Sequence, residues 1–504
     1  MSRSLAQITA GLATPPAHLM VSDVTLDSRA ATPGALFLAC RGHKSHGLQF
    51  AGQAIERGAT AVLFETEGAD AVGLPKSDSR VFFGSVPQLS RHVGTIADRF
   101  FGSPSQSMSI AGITGTNGKT TCAFVLAQAL TLCGRRTAYL GTIGYGLPSQ
   151  LTATTHTTSD AVSVHRQLEA VRQLGAQNVG MEVTSHALDQ GRVNAVRFHT
   201  AVFTNLTRDH LDYHGTMDKY AAAKAVLFAW PGVQARVINV DDEFGATLAA
   251  QPSSARLVVT TRKEPTLLAE FVRATRVRAE ASGLVIGIES SWGVGEVAVP
   301  FVGDFNVDNV LTVLATLLVW GVPLVDATHA LSKCRPPSGR METFGGTDTL
   351  PLAVVDYAHT PDALSKALRA ARVHCRGRLH VVFGCGGDRD RGKRPLMGTI
   401  AAELADDIVI TDDNPRTEDP RQIVAEICSG LRPGAPSAPV VVRASSVRVE
   451  HDRKKAILSA LDNAPAGDVV VVAGKGHEDY QIYDAERRPF SDQAVITEYL
   501  KERA

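Results

Sequence analysis

The sequence predicts an α/β protein with three domains: a small N-terminal α/β domain, a central domain with a phosphate-binding loop and a mainly parallel sheet, and a C-terminal Rossmann-like α/β domain. The chain has 504 residues, which is too long for one hydrophobic core. Apolar strand-like runs alternate with helical spacing, a pattern typical of parallel sheets. Clusters of Gly, Pro and Ser at residues 101–107 and 334–339 indicate two linkers. We therefore expect domains at residues 1–103, 104–336 and 337–504.

The composition is that of an ordinary globular protein. Lys+Arg and Asp+Glu each number 51 and hydrophobic residues make up 44% of the chain, so nothing indicates nucleic-acid binding or membrane insertion. The seven cysteines contain no CxxC pair, which argues against a disulfide framework or a zinc site and favours a reducing cytoplasm. The N-terminus lacks the apolar run of a signal peptide. Apolar residues 310–325, interrupted by Gly321 and Pro323, predict a buried helix.

Two polar loops are the candidate contact points of the N-terminal domain. Residues 26–29 read Leu-Asp-Ser-Arg, and residues 42–47 read Gly-His-Lys-Ser-His-Gly. The two histidines and the lysine of the second loop suit a diphosphate. Solvated turns explain both loops equally well at this level.

The central domain begins with Ile-Ala-Gly-Ile-Thr-Gly-Thr-Asn-Gly-Lys-Thr-Thr at residues 110–121, which predicts a strand, a glycine-rich loop and a helix. Gly115 and Gly118 would let a phosphate approach the backbone, and Lys119 could reach the terminal phosphates. Thr120 is then placed to bind Mg²⁺. Isoleucine stands at the first glycine position of the usual pattern, so we interpret the segment as a variant phosphate loop. The alternative is a turn that only joins strand to helix.

Acidic and basic residues follow the predicted strands of this domain, where an open α/β sheet places its ligands. Glu182 ends an apolar strand and could bind Mg²⁺ opposite Thr120, the alternative being a surface acid. Asp209 and His210 stand out in a polar segment that either binds metal and phosphate or caps the next helix. Lys224 lies alone among small and apolar residues, where a lysine more often extends to solvent.

The end of the central domain has two further features. Residues 256–301 alternate in hydrophobicity and predict a small antiparallel flap. Asn306 and Asn309, about one helical turn apart, either contact a base or cap the apolar helix that follows.

Four predicted strands of the C-terminal domain each run into a polar loop. The loops lie at residues 356–361, 384–390, 412–416 and 474–478. The same ends of parallel strands meet at one crevice, and these loops carry groups that suit a zwitterionic substrate: Arg389, Asp413, Arg416, Lys475, His477 and Glu478. The absence of a GxGxxG pattern after the first of these strands argues against a dinucleotide site.

With these motifs in view, the chain resembles the Mur ligases of peptidoglycan synthesis, and within that family its MurE branch. The loop Gly-Thr-Asn-Gly-Lys-Thr at residues 115–120 matches the phosphate loop of the family. Collinear matches cover nearly the whole chain: Leu-Asp-Ser-Arg at 26–29, Met-Glu-Val-Thr-Ser-His at 181–186, Asn-Leu-Thr-Arg-Asp-His-Leu-Asp-Tyr-His at 205–214, Asp-Tyr-Ala-His-Thr-Pro at 356–361 and Gly-Lys-Gly-His-Glu at 474–478.

The resemblance implies an ATP- and Mg²⁺-dependent ligase. Such an enzyme adds the third residue of the stem peptide to UDP-N-acetylmuramoyl-L-alanyl-D-glutamate through an acyl phosphate. Asp-Asn-Pro-Arg at residues 413–416 marks the members that use meso-2,6-diaminopimelate. That amino acid exceeds lysine by one carboxylate, which an arginine can bind in bidentate fashion. We expect a cytoplasmic monomer whose partners are these small molecules.

The resemblance also assigns residues to each substrate. Three residues are implied as catalytic: Lys119, Lys224 and His210. For ATP it implies Thr116, Asn117, Gly118, Lys119, Thr120, Thr121, Asn306, Arg340 and Asp356. For the UDP-muramoyl dipeptide it implies Leu26, Ser28, His43, Lys44, Ser45, Thr157, Thr158, Ser185, Gln190 and Arg192. For diaminopimelate it implies Arg389, Asp413, Asn414, Pro415, Arg416, Gly474 and Glu478, and for the metal it implies Thr120, Glu182 and Lys224, the last as its carbamate.

Two positions change under this interpretation. Lys224 matches the lysine that is carbamylated in the family, which overrides the solvent-exposed side chain that its neighbours favour. His156 stands where the family commonly has Asn before the paired Thr, so any contact of that Asn is in doubt here.

Two rival functions have weaker support. A folylpolyglutamate synthase shares the phosphate loop, but residues 26–29 and 413–416 argue against it. A P-loop phosphotransferase or nucleotide-gated binding protein without amide formation would leave the four C-terminal loops without a purpose.

Overall fold

The structure is a computed structural model that describes residues 2–42, 45–74, 80–265, 269–280, 283–431 and 443–503. The chain divides into two compact units. The first comprises Met1–Ala123 and Gly134–Leu257, and the second comprises Phe124–Cys133 and Val258–Ala504. Among the described residues, none of the helices combines the length and the apolar composition needed to cross a bilayer.

Elements β1–β13 and α1–α9 make up the first half of the chain. The strands are β1 (Arg3–Ser4), β2 (Met20–Val21), β3 (Asp23–Thr25), β4 (Ala35–Ala39), β5 (Ala61–Glu65), β6 (Phe82–Val86), β7 (Ser109–Thr114), β8 (Thr137–Gly141), β9 (Gly144–Leu147), β10 (Gln150–Thr152), β11 (Asn178–Glu182), β12 (Thr200–Phe203) and β13 (Ala235–Asn239). The helices are α1 (Leu5–Ile8), α2 (Ala51–Glu56), α3 (Leu89–Phe100), α4 (Lys119–Leu132), α5 (Ala161–Gln173), α6 (Ser185–Asp189), α7 (Leu211–His214), α8 (Met217–Ala225) and α9 (Glu243–Ala250), with 3-10 turns at Ser28–Ala30, Gly47–Phe50, Pro104–Ser107 and Val226–Ala229.

The N-terminal sheet is parallel, in the order β3-β4-β5-β6. Both faces are covered, which explains why β4 is apolar at every position. Leu36 and Leu38 lie in one core with Phe100 of α3, whereas Phe37 lies in a second core with Ala54 of α2. The predicted small α/β fold at the N-terminus is confirmed.

The second sheet of the first unit runs in the order β10-β9-β8-β11-β7-β12-β13. Its strands β8, β11, β7, β12 and β13 are parallel, and β9 and β10 add an antiparallel edge. The prediction of a mainly parallel sheet is therefore confirmed. Glu182 is paired with Ile113 and Phe203 with Thr114, so the loops that follow β7, β11 and β12 leave the same edge of the sheet.

The remaining strands are β14 (Arg256–Thr261), β15 (Glu270–Glu280), β16 (Gly283–Ser290), β17 (Gly293–Val299), β18 (Glu342–Gly345), β19 (Leu352–Asp356), β20 (Leu379–Phe383), β21 (Asp407–Ile410), β22 (Ser446–Val449), β23 (Val469–Ala473), β24 (Tyr480–Tyr483) and β25 (Glu486–Pro489). The helices are α10 (Phe305–Val319), α11 (Leu324–Lys333), α12 (Pro361–Val373), α13 (Lys393–Leu404), α14 (Pro420–Ser429), α15 (Arg453–Asp462) and α16 (Asp492–Lys501).

Two predictions for this part of the chain can be compared with the structure. Strands β15, β16 and β17 are antiparallel, as predicted for residues 256–301, but β14 at the start of that segment pairs in parallel with β15, so the prediction was wrong for β14. The apolar segment 310–325 is largely buried, but it is divided between α10 and α11 rather than forming one helix. Gly321 takes φ +74° and Pro323 precedes α11, so the backbone turns between the two helices.

The C-terminal sheet has the order β18-β19-β23-β20-β21-β22, with β18 antiparallel and the others parallel. Separate apolar cores cover its two faces, and every residue of β20 and β23 is buried. The parallel register brings the loops after β19, β20, β21 and β23 to one edge. This arrangement confirms the predicted α/β fold and the predicted meeting of the four polar loops.

We expect Asp452→Ala to lower the free energy of unfolding by about 1 kcal/mol. Asp452 is the N-cap of α15, where its carboxylate accepts a hydrogen bond from Lys455 N at 3.1 Å and complements the helix dipole. Urea denaturation measures the loss. Asp348→Ala, in the exposed bend between β18 and β19, is the control and should change stability by less than about 0.5 kcal/mol. Equal losses in the two variants would contradict the capping role.

Candidate active site

The predicted strand, loop and helix at residues 110–121 are present, with β7 ending at Thr114 and α4 beginning at Lys119. Gly115 has φ +152°, and a Cβ there would lie 1.9 Å from Thr204 Oγ1. Gly118 has φ +86°, which also favours glycine. The loop backbone is therefore compact enough for an anion to approach the first turn of α4.

Asn205 holds this loop from the neighbouring strand end. Thr116 N donates to Asn205 O at 2.8 Å, and Asn117 N donates to Asn205 Oδ1 at 2.9 Å. Thr204 Oγ1 donates to Asn117 O at 2.6 Å. Asn205 lies within a recognised motif, but its anchoring role was not predicted, because the contact joins segments 88 residues apart.

Two lysines converge on one carbonyl of the loop. Lys119 Nζ donates to Gly115 O at 2.9 Å, and Lys224 Nζ donates to the same oxygen at 2.8 Å. Lys224 is only 1% exposed, so the prediction from its neighbours that the side chain extends to solvent was wrong. Burial, and to a smaller extent the charge of Lys119, lowers the pKa of Lys224 to about 6. A pKa lowered in this way favours the neutral amine of Lys224 at pH 7.

Glu182 is buried and fully hydrogen-bonded, which rules out a surface acid. Its Oε1 accepts from Tyr139 OH at 2.5 Å and from Thr142 N at 2.8 Å. Its Oε2 accepts from Thr120 Oγ1 at 2.8 Å and from Thr142 Oγ1 at 3.2 Å. Tyr139 and Thr142 fix the carboxylate, and neither was predicted, because the strand pattern shows only that β8 is apolar.

Thr120 and Glu182 fit a magnesium ion. In octahedral coordination with ligands at about 2.1 Å, neighbouring ligand oxygens lie about 3.0 Å apart. The observed separation of Thr120 Oγ1 and Glu182 Oε2 is 2.8 Å. This separation is that of the hydrogen bond from Thr120 to Glu182, which Mg²⁺ would replace while it binds the hydroxyl, the carboxylate and a nucleotide phosphate.

His210 lies beside the phosphate loop on a strained backbone. It has φ +52°, and its ring packs against His186 at 4.9 Å and Tyr220 at 6.1 Å between centroids. Tyr220 OH is 3.2 Å from Thr116 Oγ1, which links this aromatic group to the loop. Burial, together with His210 and His214, lowers the pKa of His186. His210 makes no capping hydrogen bond to α7, so helix capping does not explain this side chain.

Three of the residues implied for the dipeptide, Thr158, Gln190 and Arg192, form one hydrogen-bonded group at the end of β11, whereas Thr157 and Ser185 have other partners. Thr158 Oγ1 donates to Glu182 O at 2.9 Å, and Arg192 Nη1 donates to Thr158 O at 3.0 Å. Arg192 Nε also donates to Gln190 Oε1 at 2.8 Å. Thr157 Oγ1 lies 3.0 Å from Thr142 Oγ1, and Ser185 Oγ lies 2.9 Å from His214 Nε2. His156 Nδ1 lies 2.9 Å from Thr155 Oγ1 at an exposed position.

Residues of the two N-terminal loops line a cavity of about 1010 Å³, among them Leu26, Ser28 and Ser45. Ser28 Oγ donates to Gln53 Oε1 at 2.7 Å, which fixes the first loop. His43 and Lys44 lie outside the described residues. His46 is buried and accepts from Leu48 N at 3.1 Å, so the suggestion that both histidines of this loop face a diphosphate is wrong for His46.

In the second unit, Lys475 lies at the centre of the residues implied for diaminopimelate. Its side chain is 0% exposed, and Nζ lies 3.1 Å from Asn414 Oδ1, 3.3 Å from Glu478 Oε2 and 3.4 Å from Asp413 Oδ1. Asn414 Nδ2 donates to Glu478 Oε2 at 2.8 Å. A Cβ at Gly474, which has φ +116°, would lie 3.7 Å from Asp413 Oδ2. The structure thus brings both predicted acids together around a buried ammonium group.

The two arginines implied for diaminopimelate lie on adjoining loops. Arg416 has φ +53°, and its Nη1 donates to Gly387 O at 2.8 Å. Gly387 N donates to Asn414 O at 2.9 Å, and a Cβ at Gly387 would lie 1.8 Å from Pro415 O. Arg389 is exposed at the tip of its loop. The close contact of the two loops sets the spacing of these cations.

Arg394 braces the same two loops and was not predicted. Its side chain is fully buried and donates from both Nη atoms to Glu418 at 2.9 Å. Glu418 Oε1 also accepts from Asp388 N at 2.6 Å. Since Asp388 precedes Arg389 and Glu418 follows Arg416 closely, this ion pair joins the segments that carry both cations.

The remaining residues implied for ATP in the second unit have internal partners. Asn306 Nδ2 donates to Val302 O at 2.8 Å, and Asn309 Nδ2 donates to Asn306 Oδ1 at 2.8 Å, both side chains being buried. Asp356 Oδ2 accepts from Met341 N at 2.9 Å, and burial raises the pKa of Asp356. Arg340 lies over the ring of Tyr357 at 5.1 Å.

Family models match three parts of the chain: "Mur ligase family, catalytic domain" at residues 21–83, "Mur ligase middle domain" at 113–317 and "Mur ligase, glutamate ligase domain" at 339–476. The chain is 46% identical over 474 residues to a Pseudomonas aeruginosa protein named UDP-N-acetylmuramoyl-L-alanyl-D-glutamate--2,6-diaminopimelate ligase, a match that covers 94% of each chain. The chain belongs to the Mur ligase family. This Mur ligase is also 47% identical over 487 residues to a Chromobacterium violaceum protein of the same name, with 96% of this chain and 94% of the relative covered.

A solved structure of a UDP-N-acetylmuramoyl-L-alanyl-D-glutamate--2,6-diaminopimelate ligase resembles this Mur ligase over its whole length. The two share 33% sequence identity with a TM-score of 0.71, and the match covers 100% of this chain and 99% of the other. The predicted α/β fold with three Mur ligase domains is therefore confirmed.

Proposed function

We propose that this Mur ligase joins 2,6-diaminopimelate to UDP-N-acetylmuramoyl-L-alanyl-D-glutamate (the UDP-muramoyl dipeptide) and uses ATP to form the amide. The observation that carries the proposal is that Asp413 and Glu478 meet around Lys475, while Arg416 stands on the same loop as Asp413. Such a site offers both charges to a zwitterionic amino acid. Relatives that are 46–47% identical over nearly the whole chain bear the name of this activity.

ATP would bind at the phosphate loop, at residues 116–121. Backbone N–H groups at the start of α4 and the ammonium of Lys119 face an anion at this position. Thr120 and Glu182 would hold Mg²⁺, which when bound offsets phosphate charge. Asn306, Arg340 and Asp356 are assigned to ATP on the family resemblance alone.

The chemistry begins with attack of the terminal carboxylate oxygen of the dipeptide on the γ-phosphorus of ATP, and ADP leaves. The neutral amine of the amino acid then attacks the acyl-phosphate carbon, the nitrogen loses its extra proton to solvent, and the tetrahedral intermediate collapses to the amide and expels phosphate. Lys119 neutralises charge while two anions approach each other, and His210 lies beside the same loop. Thr157, Thr158, Ser185, Gln190 and Arg192 would orient the dipeptide, while Leu26, Ser28, His43, Lys44 and Ser45 would hold the UDP group.

The far end of diaminopimelate would meet charges of both signs. Arg416 donates Nη1 to a loop carbonyl, which leaves its Nε–Nη2 edge for bidentate contact with a carboxylate. Arg389 would add a second positive charge, and Glu478 would accept from the distal ammonium group. Asp413, Asn414, Pro415 and Gly474 shape this end of the site. We assign the meso isomer on the family resemblance of the Asp-Asn-Pro-Arg segment at residues 413–416, since every stereoisomer of 2,6-diaminopimelate has one carboxylate and one ammonium at that end.

Lys224 is proposed to carry a carbamate that helps to position Mg²⁺. Its amine is buried, and its lowered pKa favours the neutral form at physiological pH, which is the form that reacts with CO₂. With carbon-13 bicarbonate we expect an NMR carbamate signal from the unsubstituted protein and none from Lys224→Met. Lys219→Met, at an exposed site on the same helix, is the control and should retain the signal. A signal that persists in Lys224→Met would contradict the assignment.

The measurement that tests the function is phosphate release from ATP in the presence of the UDP-muramoyl dipeptide, with diaminopimelate or lysine added in turn. We expect release to require both the dipeptide and diaminopimelate. If the rate of phosphate release did not change when either amino acid was added, the ligase assignment would be overturned and a phosphotransferase would be favoured. A preference for lysine would overturn only the choice of amino acid.

We also propose domain limits, a cellular location and an oligomeric state for the enzyme. Domain limits at residues 103/104 and 336/337 are supported by the separate matches of three family models on either side of them. The seven free thiols suit a reducing cytoplasm, where we place the enzyme. We further propose a monomer, and light scattering would test it.

A further inference from the structure

The hairpin formed by β24 and β25 supports the Asp413-Asn-Pro-Arg416 loop along its length. Arg416 N donates to Ile482 O at 3.0 Å, and Asp484 N donates to Arg416 O at 2.7 Å. Ile482 N donates to Asn414 Oδ1 at 3.0 Å. The loop is thereby bound like a short parallel strand, with Arg416 opposite Tyr483.

Gln481 extends this support to the start of the loop. Its side chain is 8% exposed, and Nε2 donates to Asp412 O at 3.2 Å and to Asp413 O at 3.0 Å. Tyr483 OH donates to Asp412 Oδ2 at 3.1 Å. A single amide thus binds two consecutive carbonyls, and together with the backbone contacts it fixes the path of the chain from Asp412 to Arg416.

These contacts determine where the Arg416 side chain points. Arg416 has φ +53°, a left-handed conformation that an arginine rarely adopts unless its surroundings impose it. The hairpin binds both its N–H and its carbonyl oxygen, so the peptide planes on either side of Cα are held. The direction of the Cα–Cβ bond, and with it the reach of the guanidinium group, follows from those planes.

We propose that the hairpin is a specificity-determining element and that Gln481 is its positioning residue. It holds Arg416 where its guanidinium group meets the second carboxylate of the amino acid, the group that separates diaminopimelate from lysine. Gln481 acts through Arg416 and does not touch the substrate. This inference rests on the proposed function, because it concerns selection at the same site.

Gln481→Glu tests the proposal, because it keeps the shape of the side chain but replaces the N–H donor with an oxygen that faces two carbonyl oxygens. We expect the KM for diaminopimelate to rise about tenfold and the preference for diaminopimelate over lysine to fall by a similar factor. The KM values for ATP and for the UDP-muramoyl dipeptide should change less than about twofold. Glu486→Gln, at an exposed position on β25, is the control and should behave like the unsubstituted enzyme.

Two further variants test the proposal if Gln481→Glu misfolds. If Gln481→Glu does not fold, Gln481→Met and Tyr483→Phe replace it, and we expect the same split between the KM values. An unchanged KM for diaminopimelate in the folded variants would overturn the proposal. A loss of kcat with every KM unchanged would also overturn the proposal, since that result indicates that a smaller fraction of the enzyme is folded. If the unsubstituted enzyme releases phosphate without diaminopimelate, the proposed function itself fails, and this is seen before any variant is compared.

Discussion

Lys119→Met is expected to lower kcat by about three orders of magnitude. The Lys119 ammonium is held over the phosphate loop by Gly115 O and Thr116 O, so it is positioned before ATP arrives. Its charge offsets the charge that develops when a carboxylate approaches the γ-phosphate, and methionine keeps the length of the side chain without that charge. Phosphate release under saturating substrates measures the effect.

The control for this substitution is Lys219→Met, which removes an exposed lysine from α8 and should leave kcat within about twofold. Circular dichroism and thermal unfolding must show that both variants fold. A decrease in kcat of less than about tenfold for Lys119→Met would contradict the role in charge neutralisation. A rise in the KM for ATP with kcat unchanged would indicate that Lys119 only binds the nucleotide.

The general position of the candidate site could be predicted, because it depends on local sequence. Glu182 ends an apolar run, and the ends of neighbouring parallel strands meet at one edge. The glycines of the phosphate loop similarly predict a turn between strand and helix. The four polar loops of the C-terminal sheet follow from the same rule. Local patterns therefore indicate the candidate residues, whereas the contacts of those residues depend on the fold.

The partners of those residues could not be predicted, because each is supplied by a distant segment. Lys224 is held by Gly115 O, 109 residues away, and nothing among its small neighbours indicates burial. Tyr139 lies 43 residues from Glu182, within a strand that shows only apolar character. Gln481 reaches the carbonyl of Asp413, 68 residues away. Long-range pairs of this kind follow from packing, which single-sequence patterns do not contain.

The proposed amino-acid site illustrates why fixed polar partners matter. Lys475 and Arg394 are fully buried cations, and each is bound by carboxylates of the loops that they hold. A buried charge is tolerated only when it is paired, so these loops are constrained to the arrangement that satisfies both cations. The exposed Arg389 and the partly exposed Arg416 then stand on a rigid support. Rigidity of this kind converts two flexible side chains into a site with a defined spacing.

Arg416→Ala is expected to raise the KM for diaminopimelate about 100-fold, because a bidentate contact between guanidinium and carboxylate contributes about 3 kcal/mol. The KM values for ATP and for the UDP-muramoyl dipeptide should stay within about twofold, and the use of lysine should change little, since lysine has no second carboxylate. Initial-rate kinetics with each substrate varied in turn measure the change. Arg421→Ala, on the exposed face of α14, serves as the matched control.

Arg416→Lys separates charge from geometry at the same position. An ammonium group keeps the positive charge but cannot form two parallel hydrogen bonds to a carboxylate, so we expect a KM between those of the unsubstituted enzyme and Arg416→Ala. If Arg416→Lys had the same KM for diaminopimelate as the unsubstituted enzyme, charge attraction alone would explain the selection of diaminopimelate. The support that the hairpin gives to the Arg416 backbone would then have no bearing on specificity. If both variants raised the KM values for ATP and diaminopimelate equally, Arg416 would not be the carboxylate ligand. An intermediate KM confined to diaminopimelate is the result that the fixed position of Arg416 requires.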